Sequence, residues 1–285
     1  MQYSSSLEKL RNILEKNISK SSVEWLSVQI EGIISERSTK KLYMTYTLCG
    51  SKIEKTNISF EDVNDDEIIN YLRLKKANTL EVSRILLLIK VLDADYEYFK
   101  EKVLNLIQIA DTQELITFLN YLVFLPNSGD FIFVAVEALR TNISTVFEAI
   151  AMDNPYPSKY FNEQQWNQMY LKAAFMQGDL SRIVGVDKMG NKDLTRIISD
   201  YAHERWAASR TIDPEFWRPT SNFIEGVLIE DMVRLFKSDN PKENKAAALV
   251  CFYSNRTEAK ALLNEHPKLK EQLMNNILTW DNLKN

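Results

Sequence analysis

Asp200, His203, Glu204, Arg205, Trp206 and Arg210 fall within one short stretch, DYAHERWAASR at 200–210. An imidazole changes charge near neutral pH, so His203 is the residue here suited to take up and return a proton. On a helix, Arg196, His203, Ala207 and Arg210 lie within about half a turn of one another, at ~100° per residue. Asp200 and Glu204 are i, i+4 neighbours on an adjoining stripe. Two readings follow. In one, His203 is a general acid/base, Asp200 or Glu204 sets its tautomer, and Arg210 holds an anionic substrate. In the other, the histidine and the arginines lock neighbouring helices together through charge-assisted hydrogen bonds. No Ser–His–Asp or Cys–His arrangement can be read from the spacing, and nothing marks a nucleophile.

Other chemistries find less support. Asp200 and His203 have the i, i+3 spacing of a carboxylate–histidine metal pair, but His266, the second of two histidines, lies in an NEHPK joint and supplies no matching pair. No metal and no cofactor is expected. GVDKMGNKD at 185–193 resembles a phosphate loop only superficially: the lysine is displaced by one position and Asp193 would repel a phosphate. Aromatic residues are more suggestive. Trp166, Tyr170, Trp206, Phe216 and Trp217 occur within about fifty residues, near Tyr156, Tyr160 and Phe161. Most such rings build cores. Yet aromatic walls with a few converging polar groups are also what an organic ligand needs, and Asn154, Asn167, Gln168, Asp187, His203 and Arg210 could supply them.

The elements that must position these groups are helices. The 285 residues include 7 glycines and 7 prolines, where average usage would give roughly 20 and 14. Few turn-formers mean long helices and short joints. In LEVSRILLLIKVLDAD (80–95), Val82, Ile85, Ile89 and Leu92 share a face that Leu86, Leu87 and Leu88 widen to most of the circumference, so this helix is central. Asp111 with Glu114, and Asn162 with Gln165, form capping boxes. Asp213 before Pro214, and Asn240 before Pro241 with Glu243 expected to close a capping box, open two further helices. MDNPYPSKYF (152–161) is expected to be stiff and extended because two prolines flank a tyrosine, and 178–193 is expected to be irregular.

The expected fold is all-α, an irregular stack of antiparallel helices, HEAT-like towards the C-terminus. A single helical domain over 1–285 is expected, with possible subdivision into 1–140, a polar and aromatic site region at 141–212, and 213–285. Hydrophobic residues at 45% and charged residues at 26% suit a globular chain with a sizeable core. A formal charge of −4 gives no broad basic surface for nucleic acid. Cys49 and Cys251 are too few for a disulfide framework, and Cys251 sits in the apolar run AAALVCFY. The longest strongly apolar run, ILLLI at 85–89, is too short to span a bilayer, and the start lacks a signal-peptide pattern. A cytoplasmic location is expected.

Two long stretches, RTNISTVFEAIAMDNPYPSKYFNEQQWNQMYLKAAF (140–175) and IVGVDKMGNKDLTRIISDYAHERWAASRTIDPEFWR (183–218), resemble the EboA family. NPYP, WNQM, GVD and DYAHERWAASR carry the likeness; family members tend to read glycine at Ser209 and leucine at Val186. The resemblance implies a cytoplasmic protein working beside metabolite-processing enzymes and a membrane prenyltransferase-like partner from the same gene cluster. It brings no assigned reaction. It singles out Asn154, Trp166, Asn167, Asp187, Asp200, His203, Glu204, Arg205 and Arg210. The candidate ligand-binding set is Asn154, Tyr156, Trp166, Asn167, Tyr170, Asp187, His203, Arg205, Trp206 and Arg210, and the catalytic candidates are His203, Asp200, Glu204 and Arg210. The leading expectation is a non-enzymatic helical module binding a small metabolite, aromatic or isoprenoid-linked, or a protein of the same cluster. An enzyme using His203, and a purely structural adaptor, are the alternatives.

Overall fold

The computed structural model describes residues 3–61 and 66–283. Among them the chain forms helices with no β-strand, and Asn57 and Asn78 make an isolated bridge. This is the all-α class expected from the shortage of glycine and proline. No described helix is long and apolar enough to cross a membrane. Backbone contacts gather into two compact units, Met1–Tyr156 and Pro157–Asn285.

The first unit runs through α1 (Tyr3–Asn17), α2 (Lys20–Glu36), α3 (Thr39–Lys52), α4 (Glu67–Leu74), α5 (Thr79–Ala94), α6 (Tyr96–Ile109), α7 (Thr112–Tyr121), α8 (Ile132–Leu139) and α9 (Ser144–Ala151). Helix α5 is its axis, with α1, α2, α3, α6 and α7 packed around it. The cause is visible in its residues. From Val82 to Ile89 every side chain is buried, and a helix apolar on all sides must be surrounded. Each large aliphatic side chain so buried contributes roughly 1.5–3 kcal/mol. Asn78 and Glu81 close a capping box at its start, and Asp111 and Glu114 do the same for α7.

The double-proline stretch departs from the extended form expected of it. It turns and enters a short helix, α10 (Tyr156–Tyr160). Asn154 makes the turn: its Oδ1 accepts the Tyr156 N–H at 3.0 Å, and its Nδ2 donates to the carbonyls of Leu119 and Ala149 at 3.0 and 2.9 Å. Pro157 then falls in the first helical turn, where a missing N–H costs nothing.

The second unit contains α11 (Glu163–Phe175), α12 (Val186–Met189), α13 (Lys192–Ala207), a ten-residue 3-10 helix (Pro214–Phe223), α14 (Val227–Phe236), α15 (Pro241–Tyr253), α16 (Thr257–Asn264) and α17 (Pro267–Met274). The caps at Asn162, Asp213 and Asn240 form, but the box expected of Glu243 does not, because the Asn240 N–H donates to the Ser238 hydroxyl instead. After Asp213 the helix is the tighter 3-10 kind, because Pro219 inside it has no N–H for an i→i−4 ladder. This 3-10 helix packs against both α13 and α15. Trp166, Tyr170, Ile198, Trp217, Met232 and Ala247 are fully buried in this unit.

Candidate functional site

Both ends of α13 are set by specific side chains. At its start Asn191 accepts the Leu194 N–H at 2.9 Å, and Asn167 exchanges two amide hydrogen bonds with Asn191 at 3.1 and 2.9 Å. Asn167 therefore fixes where the helix begins. At the other end Ser209 adopts φ +53°, the Ser209 N–H donates to Trp206 O at 3.0 Å, and the Arg210 N–H donates to Arg205 O at 2.9 Å. That left-handed stop takes Arg210 off the helical stripe it was expected to share with Arg196 and His203. Arg205 ties the turn down, donating through Nε and Nη2 to Thr211 O at 3.2 and 2.8 Å.

His203 finds a carboxylate, but not a neighbouring one. Its Nε2 lies 2.6 Å from Oδ1 of Asp231 on α14, and the other oxygen of Asp231 accepts the Ser199 hydroxyl at 2.6 Å. Asp231 is buried, whereas the His203 side chain is 52% exposed. Asp200 instead pairs with Arg196 in solvent. Beside His203, the Trp206 ring meets the Arg234 guanidinium at 4.1 Å and the Trp217 ring at 5.8 Å. This seam joins α13 to α14. The sequence reading missed Asp231, whose one signal is an acid on the apolar face that Leu228, Met232 and Leu235 define.

The remaining candidates divide. Trp166 and Tyr170 are core residues and not pocket walls. Tyr170 stacks on Phe216 and donates to Glu215 O at 3.1 Å; burial first, then the Glu215 charge, holds its phenol far above the usual range. Asp187 receives both Nε and Nη2 of Arg218, at 2.9 and 2.7 Å. Burial works against the Arg218 charge, yet the Asp187 carboxylate outweighs it and raises the Arg218 pKa. Gly185 has φ +92°, and a Cβ on Gly190 would sit 2.3 Å from Pro219 O. The GVDKMG segment is thus a clasp on the 3-10 helix. Asn154 and Tyr156 belong to the first unit, where the Tyr156 hydroxyl donates to Ser128 O at 2.8 Å.

Glu204, Arg205 and Arg210 come together on the wall of one cleft of about 830 Å³. Tyr201 of α13, Phe175 at the end of α11 and Lys242 in the first turn of α15 complete its working surface. Phe175 is 76% exposed. The volume lies in the range of organic-ligand sites, roughly 300–1,000 Å³. Two grooves in the first unit are smaller, about 270 Å³ each. A second cleft in this unit, about 430 Å³, includes Arg218, but Asp187 already occupies that guanidinium.

Residues 6–221 match a family whose model is described as metabolite traffic protein EboA, well over half of the chain. The chain belongs to the EboA family. No curated protein and no solved structure matches it. The EboA match takes in α13 and the turn bearing Arg210 but ends inside the 3-10 helix, so Asp231, Arg234 and Lys242 all lie beyond it.

Proposed function

We propose that this EboA-family protein is a non-catalytic module that holds a small organic metabolite in the cleft between the ends of α11 and α13. Its work is to keep that metabolite available, in the cytoplasm, to enzymes of the same gene cluster. The observation that carries the reading is the cleft itself, roomy enough for an organic molecule, with the Phe175 ring exposed at its edge. A phenyl ring left in water is a candidate contact for an aromatic or isoprenoid-linked body, since burying it gains roughly 1.5–3 kcal/mol. His203 is not among the residues lining this cleft, which favours binding over turnover there.

Native mass spectrometry of freshly purified protein from a producing host tests the proposal. The expected result is a small-molecule adduct on the wild type that is lost from a Phe175→Ser variant melting at the same temperature. A wild type carrying no adduct, together with undiminished metabolite export in Phe175→Ser cells, would overturn it.

A further inference from the structure

We propose that the cleft selects an organic anion, a carboxylate or phosphate on a flat apolar body, and that Arg210 and the free edge of Arg205 hold the acid group. This rests on the metabolite-binding reading of the same cleft and adds the chemical class of what it takes.

The arginines of this protein are mostly spoken for. Arg37, Arg84, Arg140, Arg218 and Arg256 each meet a carboxylate. Arg210 meets none: among the described residues its guanidinium has no hydrogen-bond, ion-pair or ring partner. Arg205 spends Nε and Nη2 on Thr211 O, which leaves Nη1 uncommitted. The two guanidinium groups are linked by a single turn fixed three times over, by the Ser209 and Arg210 N–H bonds and by the Arg205 side chain. Ordering that turn therefore costs an incoming anion little.

The charges around this pair allow an anion. Lys242 adds a third cation to the lining. Of the two acids there, Asp213 already uses Oδ1 to cap the Glu215 N–H at 3.0 Å, and Glu204 forms no ion pair with either arginine. A carboxylate arriving with a ligand can take two parallel N–H bonds from the Arg210 fork, which an ammonium could not offer. Flat surfaces lie alongside. Tyr201 sits 6.0 Å from the Arg205 guanidinium, and the exposed Phe175 lines the same cleft. An acid group at one end and a planar apolar body at the other match this arrangement better than a sugar or a polyamine would.

A matched pair of probes, 2-naphthoate and 2-naphthamide, tests the class, with amide NMR shifts of the full chain as the readout. Naphthoate is expected to move the resonances of 204–213 and to bind about ten-fold tighter than the amide. Arg210→Ala, with its melting temperature unchanged, should remove that preference, while Phe175→Ser should weaken both probes. Equal binding of the two probes, unaltered by Arg210→Ala, would overturn the anion class and leave the cleft reading standing. If neither probe perturbs 204–213 in the wild type, both readings fall.

Discussion

In the first unit Arg84 and Glu114 face each other at 2.9 Å, both almost wholly buried. Arg84 also donates through Nε to Tyr46 O and lies over the Tyr46 ring, whose hydroxyl donates to Glu114 O. In the second unit Glu204 and Arg210, the same two residue types, line an open cleft and do not pair. The difference lies in what answers the charge. A buried guanidinium must be answered by the protein itself, because desolvation is ruinous without a partner. An exposed one can wait for a partner from solution. Charge alone does not mark a site; an unanswered charge in a concave wall does.

The sharpest way to break this contrast is to ask whether the first cluster is dry. Cys49 lies beside Arg84, which would favour a thiolate, yet burial wins and pushes the thiol up to about 12. Burial likewise raises Cys251 to about 12. Against an ordinary thiol near 8.5, each should hold on the order of a thousand-fold less thiolate at pH 8. An aromatic disulfide reagent should therefore titrate no thiols in the native protein and both in urea. Fast labelling of Cys49 would mean that water reaches the Arg84 cluster.

Stability gives the next largest effect. Glu114→Ala leaves Arg84 buried and uncompensated, and should cost about 3–5 kcal/mol in urea unfolding. The double variant Arg84→Met, Glu114→Leu should recover most of that, since apolar groups of similar volume need no counter-ion. Glu204→Ala and Arg210→Ala should each stay within about 0.5 kcal/mol of wild type, as surface changes do. If Arg210→Ala were as costly as Glu114→Ala, the guanidinium would be structural and the contrast would vanish.

Local features were legible in the sequence, and distant pairings were not. The caps at Asp111, Asn162, Asp213 and Asn240 announce themselves within three residues, and the apolar circumference of α5 announces a central helix. Asp231 does not announce itself to His203, 28 residues away, because spacing carries no record of which helices will meet. Arg84 carries a signal of its own: an arginine inside a helix apolar on all sides must own a buried partner. Periodicity alone places Arg210 on a helix that stops at Ala207, and Pro155 and Pro157 by themselves predict a stiff segment that the Asn154 side chain in fact turns. In both places one local hydrogen-bonding or dihedral detail outweighs the average tendency of the residues around it.

The smallest effect concerns the residue that ends α13. Ser209 pays roughly 1 kcal/mol for its left-handed backbone, which glycine adopts freely. Glycine also gives the unfolded chain more freedom, so Ser209→Gly should gain only about 0.5 kcal/mol, seen as a rise of a degree or two in melting temperature. Naphthoate affinity should not change, because the turn and Arg210 keep their places. Ser209→Val is the complement. A β-branched residue is poorly tolerated at positive φ, so the turn should shift and carry Arg210 away from Arg205. Its expected signature is a loss of the preference for naphthoate over naphthamide, with the far-ultraviolet spectrum intact. A valine variant that kept full preference would mean that the acid group is held somewhere other than on this turn.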